Sequence, residues 1–181
     1  MATLTPLWTG QKITAVEELR PFLEREGIDF AIWNLPPEVR SIAEASRLSE
    51  SDMTRLLEIF RHDIEEVSEA KGYIDADVVA IRPDLEGIDA ALAMFDKVHF
   101  HDDDEVRAIV SGSGVFGFVM SDGRQFLLEV SAGDYISVPA GMWHWFYCNE
   151  DRNITALRLF KDKSGWTPHY RNVSRGNHEL T

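Results

Sequence analysis

Two periods divide the chain. Up to residue 72 apolar side chains recur mostly at helical spacing, whereas beyond it they fall into short alternating runs of the kind strands require. Val16, Leu19, Phe22 and Leu23 share one helical face, Thr14 and Glu17 are spaced for a capping box, and Gly27 closes the segment. Pro21 is expected either to kink this helix or to restart it at its first turn. The stretch GIDFAIWNLPPEVR predicts a short strand stopped by Pro36 and Pro37, followed by mixed loop and helix to Glu50. In SESDMTRLLEIFRHDIEEVSEAKG, the residues Met53, Leu56, Leu57, Phe60, Ile64 and Val67 hold the helical period between serine caps and Gly72, so one long helix is predicted. His62 lies between Arg61 and Asp63 and is read as solvated.

From Tyr73 the period shortens. DVVAIRP reads as a strand ended by Pro83, and EVRAIVSGSGVFGFVM as a long strand that its glycines bend. SDGR carries the Asp-Gly hairpin signal, and QFLLEV returns from it. GDYISVPAG, HWFYC and ITALRLF complete the series. Regular short strands between turns predict a mainly β fold, a small antiparallel sandwich or barrel with helices at its N-terminal end. The 181 residues suit a single domain: a mainly helical part over 1–72, a β core over 73–165 and a tail over 166–181.

Charge narrows the partners. A formal charge of −13 with no basic face argues against nucleic acid and against an anionic membrane surface, and no apolar run approaches spanning length. The start MATLTPLWTGQKIT carries neither the apolar core nor the cleavage site of a secretory signal, so a cytoplasmic location is expected. Cys148 is the single cysteine, which excludes an intrachain disulfide. Asn172 to Ser174 matches a glycosylation acceptor, without weight in a chain lacking that signal. A small-molecule partner is expected, with a monomer among the admissible states.

The segment KVHFHDDDEVRAIVSGSG concentrates the candidate chemistry. Strand parity sends His99, His101, Glu105, Arg107 and Ile109 to one side, which becomes apolar further along. Polar groups on a sheltered face are costly unless something binds them. A later strand supplies His144 behind the rigid turn of GDYISVPAGMWH. Three imidazoles and one carboxylate form a mixed nitrogen and oxygen donor set suited to a borderline divalent metal, and an octahedral ion would keep two positions open.

These residues resemble the cupin superfamily, whose first motif is matched by His99, His101, Glu105 and Gly112 and whose second is matched by Gly133, Pro139, Gly141 and His144. Ala93 replaces the glycine usual before the first histidine, and Cys148 an expected asparagine. More specifically, HFHDDDEVR, SVPAGMWHWF and ITALRLFKDKSGW resemble the acireductone dioxygenase family of methionine salvage, as do GIDFAIWNL and KGYIDADVVAI. Val98 stands where that family commonly has an acid, and Ala108 where an aromatic often follows the arginine.

The resemblance implies a cupin jelly roll that holds one Fe(II) or Ni(II) per chain on His99, His101, Glu105 and His144. It implies dioxygen and the acireductone 1,2-dihydroxy-3-keto-5-methylthiopentene as reactants. Fe(II) would give formate and 4-methylthio-2-oxobutanoate, and Ni(II) methylthiopropionate, carbon monoxide and formate. Arg107 would offset substrate charge, with Arg158 a second candidate whose other reading is a structural ion pair. Phe95, Phe146 and Trp166 match pocket positions, although aromatics in such folds more often pack the core. Asp102, Asp103 and Asp104 read as a solvated turn, and no base is assigned. His169 and His178 read as loop residues in a tail able to fold over the pocket. The alternatives are a manganese or zinc cupin isomerase or decarboxylase, and a cupin that binds a small ligand without turnover.

Overall fold

The computed structural model describes residues 1–162 and 166–171. His178 and the Asn172 acceptor therefore lie outside the described residues. Among the described residues five helices, α1 (Val16–Arg25), α2 (Pro37–Ala43), α3 (Glu50–Ile59), α4 (Arg61–Lys71) and α5 (Ile88–Phe95), accompany ten strands. None of these helices is long and apolar enough to cross a membrane.

One long strand organises the rest. β5 (Glu105–Val119) begins in one antiparallel sheet and ends in another. Its first half lies between β7 (Asp134–Val138) and β9 (Ile154–Phe160), with β2 (Asp29–Ile32) and β3 (Asp75–Ile81) at the margins. Its second half lies between β6 (Gln125–Ser131) and β8 (His144–Cys148). Beyond these come β1 (Thr3–Pro6) on one side, and β4 (His99–Phe100) and β10 (His169–Tyr170) on the other.

The crossing falls at Gly112. Its φ of 73° is one that L side chains resist, and a Cβ built there would stand 1.8 Å from the carbonyl oxygen of Asn153. The ladder to β9 shifts register between Ile109 and Ser111, just before this point. Of the glycines expected to bend the strand, this one carries the bend.

Two apolar clusters result. Ile109, Phe116, Phe118, Phe126, Leu128 and Ile136 pack between the sheets, and Leu19 and Leu23 of α1 join them. Val106, Ala108, Val110, Leu157 and Leu159 face outward under Trp33, Val39, Leu56 and Phe60 of the helical layer. The alternate residues of β5 and β9 are thereby free to line the interior between the sheets, as strand parity predicts.

Several local expectations change. The Thr14–Glu17 box does not form, because an extended pairing of Ile13 with Leu4 carries the chain to Ala15, whose carbonyl accepts from Glu18 and Leu19. The helix then passes through Pro21 instead of restarting there. Ser49 does cap α3, accepting from the Asp52 N–H at 3.1 Å while Asp52 accepts from the Ser49 N–H at 2.9 Å. The predicted long helix turns at Phe60, which leaves the helical backbone to bury its ring against Trp33. α5 interrupts the strand series without having been signalled; it is short and apolar on most sides, so it lacks an amphipathic period. His62 is exposed, as read.

Candidate metal and substrate site

Adjacent strands bring the histidines together. His99 on β4 lies directly opposite His144 on β8, and His144 in turn lies opposite Phe118 on β5. His101 follows β4, where its carbonyl accepts from the Gly141 N–H at 2.9 Å and so ties the first half of the site to the turn before His144. Glu105 opens β5. One ligand atom from each of His99, His101, Glu105 and His144 lies within 4.8 Å of all the others, and all four residues are buried.

Backbone contacts set the tautomers. His99 Nδ1 sits 2.6 Å from the Lys97 carbonyl and His144 Nδ1 sits 2.8 Å from the Met142 carbonyl, so each Nδ1 carries the proton and donates it. Their Nε2 lone pairs are left for the interior. Glu105 Oε2 lies 2.7 Å from His144 Nε2 and 3.2 Å from His101 Nε2, while Oε1 accepts from Arg107 at 2.8 Å.

The charges suit metal binding. Burial, reinforced by the neighbouring His144, pushes His99 down to about 4, so it is a neutral donor near neutrality. Burial pushes the Glu105 carboxyl up, but Arg107, His144 and His101 together outweigh it and hold the group well below the usual carboxylate range. Arg107 is lowered to about 10 by burial, against the pull of Glu105, and stays cationic. Three imidazoles and an ionised carboxylate gathered out of water are donors fit for one divalent cation.

A cavity of about 230 Å³ opens beside this group. Its polar end holds His99, His101, Glu105, Arg107 and Arg158; Val79, Ile81, Ile109, Phe116, Phe146, Ile154 and Ala156 form the apolar remainder. Arg107 spreads over Trp166, 4.4 Å from the ring centroid. Arg158 makes a two-pronged pair with Asp77, opposite it on β3, at 2.7 and 2.6 Å. Arg158 is thus ion-paired, as the structural reading has it, and also part of the cavity wall.

Phe95, Phe146 and Trp166 all line the cavity instead of packing only in the core, and Phe95 at the edge is 43% exposed. Of the three acids in the turn only Asp102 is exposed as read. Asp104 accepts from Tyr73, Lys161 and the Ala140 N–H, and Asp103 from the backbone N–H groups of Lys161 and Asp162, so together they fasten the turn between His101 and Glu105 to three other elements. His169 is in β10 rather than a loop: β10 pairs with β4, and with it Pro168 and Tyr170 reach the cavity. Sequence reasoning missed Tyr170 because two-residue strands carry no periodic signal. Val79, Ile81, Ile154 and Ala156 were legible in principle, since each has the strand parity of Asp77 or Arg158.

Known proteins resemble this chain over most of its length. The profile of the ARD/ARD' family matches residues 34–168. The chain is 39% identical over 170 residues to an acireductone dioxygenase of Leptospira interrogans, covering 94% of this chain and 96% of that protein. It is 36% identical over 161 residues to the acireductone dioxygenase of Bacillus velezensis, covering 89% and 90%. Among solved structures, Bacillus anthracis acireductone dioxygenase with a cadmium ion in its active centre superposes with a TM-score of 0.88 at 35% identity, over 94% of this chain and 98% of that one.

Proposed function

The chain belongs to the acireductone dioxygenase family and has its cupin fold, and from that premise we propose that His99, His101, Glu105 and His144 hold one Fe(II) or Ni(II) for cleavage of 1,2-dihydroxy-3-keto-5-methylthiopentene by dioxygen. One observation carries the reading. Three of the four clustered donors, His99, His101 and Glu105, line a cavity whose remaining wall is mostly apolar, so a chelating head and a greasy tail would each find a matching wall. When bound, the metal supplies a Lewis acid with room for a bidentate oxygen ligand.

The chain's residues do the rest. The backbone-tied Nδ1 protons of His99 and His144 keep both rings aimed without movement during turnover. Arg107 faces the same end and offsets the charge of an enediolate, with Glu105 and the Trp166 ring holding its fork in place. Arg158, steadied by Asp77, adds a second cation at the rim. Phe95, Phe146 and Trp166 exclude water from the reactants. The expected products are formate and 4-methylthio-2-oxobutanoate for the iron-loaded protein, and methylthiopropionate, carbon monoxide and formate for the nickel-loaded one, a place in methionine salvage.

Reconstitution tests this. Protein stripped of metal and reloaded with iron or with nickel should consume dioxygen with an acireductone, and gas analysis should find carbon monoxide from the nickel form alone. Identical products from the two forms would remove the metal-dependent branching. No dioxygen uptake with either would remove the reaction and leave an isomerase, a decarboxylase or a ligand-binding cupin.

A further inference from the structure

One wall of the cavity rests on a missing side chain. Gly114 lies on β5, opposite Cys148 and two residues from Phe116, on the inward-facing side of the strand. Phe116 is paired with Phe146, and the two rings stand 4.9 Å apart between centroids. The Phe146 ring leans diagonally from this pair over Gly114, so that a Cβ built on the glycine would lie 2.6 Å from both Cε2 and Cζ and 3.4 Å from Ile154 Cδ1. Real Cβ atoms do not approach ring carbons so closely. The Gly114 φ is an ordinary one, so the glycine is required here by the ring above it and not by its own backbone.

We propose that Gly114 is the specificity-determining position of the cavity: by letting the Phe146 ring lie flat on the sheet, it opens the apolar end to a substrate tail several carbons long. The inference rests on the chelating-head and apolar-tail reading given above. Any side chain at 114 has to lift the ring, whose neighbours are Phe116 on one flank and the cavity on the other, so the ring moves into the space for the tail. Chelation of the head is unaffected. Gly114 stands four residues from Phe118, the partner of His144, roughly 13 Å along the strand.

Alkyl hydroxamates probe this directly, since they chelate a metal through two oxygens and their tails can be lengthened one carbon at a time. On the nickel-loaded parent, affinity from acetohydroxamate to hexanohydroxamate should rise about fourfold per methylene, as apolar burial requires. In Gly114→Ala acetohydroxamate should bind within about twofold of the parent, while hexanohydroxamate should lose at least about tenfold; adding Phe146→Leu should restore the long tails. Unchanged dependence on chain length in Gly114→Ala would overturn the proposal. If that variant does not fold, the double variant decides: folded with parental dependence, it identifies the ring as the obstacle, and unfolded, it shows that the backbone alone needs glycine and the proposal falls. Binding needs no turnover. A parent that binds the series with rising affinity but consumes no dioxygen with an acireductone removes the reaction proposed above and leaves this inference standing; a parent that turns over with flat dependence removes only this one.

Discussion

Glu105 divides its two oxygens between unlike neighbours, with Oε1 on the Arg107 guanidinium and Oε2 among the histidines. A metal at the four donors would draw on the histidine side and leave Arg107 in place, because guanidinium offers five donors and no lone pair. Under the proposed function Arg107 therefore works on the substrate side of the site. Replacing it with alanine removes one preorganised cation from a water-poor cavity, which costs catalysis about 10²–10³-fold where such donors have been deleted. We expect Arg107→Ala to lose kcat/KM by about that factor while keeping at least half of the parental metal content, measured by elemental analysis of the reloaded protein beside steady-state dioxygen uptake. Metal loss in proportion to activity would instead make the arginine a prop for Glu105. Asp77 has the matching relation to Arg158, with the difference that this pair is about one-third exposed and correspondingly weaker.

At the scale of elements, the site exists because β5 belongs to two sheets. It carries Glu105 and Arg107 in one, and in the other it holds β8, and hence His144, at the right register. The hinge between them is Gly112, where alanine meets both a disfavoured φ and a carbonyl oxygen already in the way. Gly112→Ala should cost about 3 kcal/mol or more in a denaturant titration, against about 1 kcal/mol for Gly10→Ala, whose φ of 67° is similar but whose surroundings are open. Equal losses would mean that φ alone matters. Parity within β5 was legible in the sequence because both faces of the strand are committed, one to the helical layer and one to the cavity. Which glycine makes the bend was not legible, since the clash that singles out Gly112 comes from Asn153, far along the chain. Nor was the turn at Phe60, where the apolar period runs on through a change of axis. The ligand set was readable from its two motifs. The aromatic walls Phe95, Phe146 and Trp166 were named through the family resemblance alone, because a phenylalanine facing a cavity and one facing a core have the same local pattern.

At the scale of the whole molecule, the four donors come from β4, the turn after it, β5 and β8, and the cavity is roofed by residues from the far end of the described chain. In an unfolded chain His99 and His144 are 45 positions apart in sequence and share no geometry. An ion that needs all four donors therefore binds the folded state almost exclusively, and its binding free energy adds to folding stability by mass action. At a free metal concentration one hundred times the dissociation constant the gain is about 2.7 kcal/mol, and for a chain of this size each kcal/mol moves Tm by about 2–4 °C. Stripping the metal with a chelator should accordingly lower Tm by roughly 5–10 °C, and restoring one ion per chain should recover it. His101→Ala supplies the control: it should take up little metal, and its Tm should barely respond to chelator or to added nickel. A parent whose Tm ignores the chelator while elemental analysis shows the metal gone would mean that the ligand strands are held in place without an ion. Its stability would then rest on contacts such as the Arg107 to Glu105 ion pair already present in the folded chain.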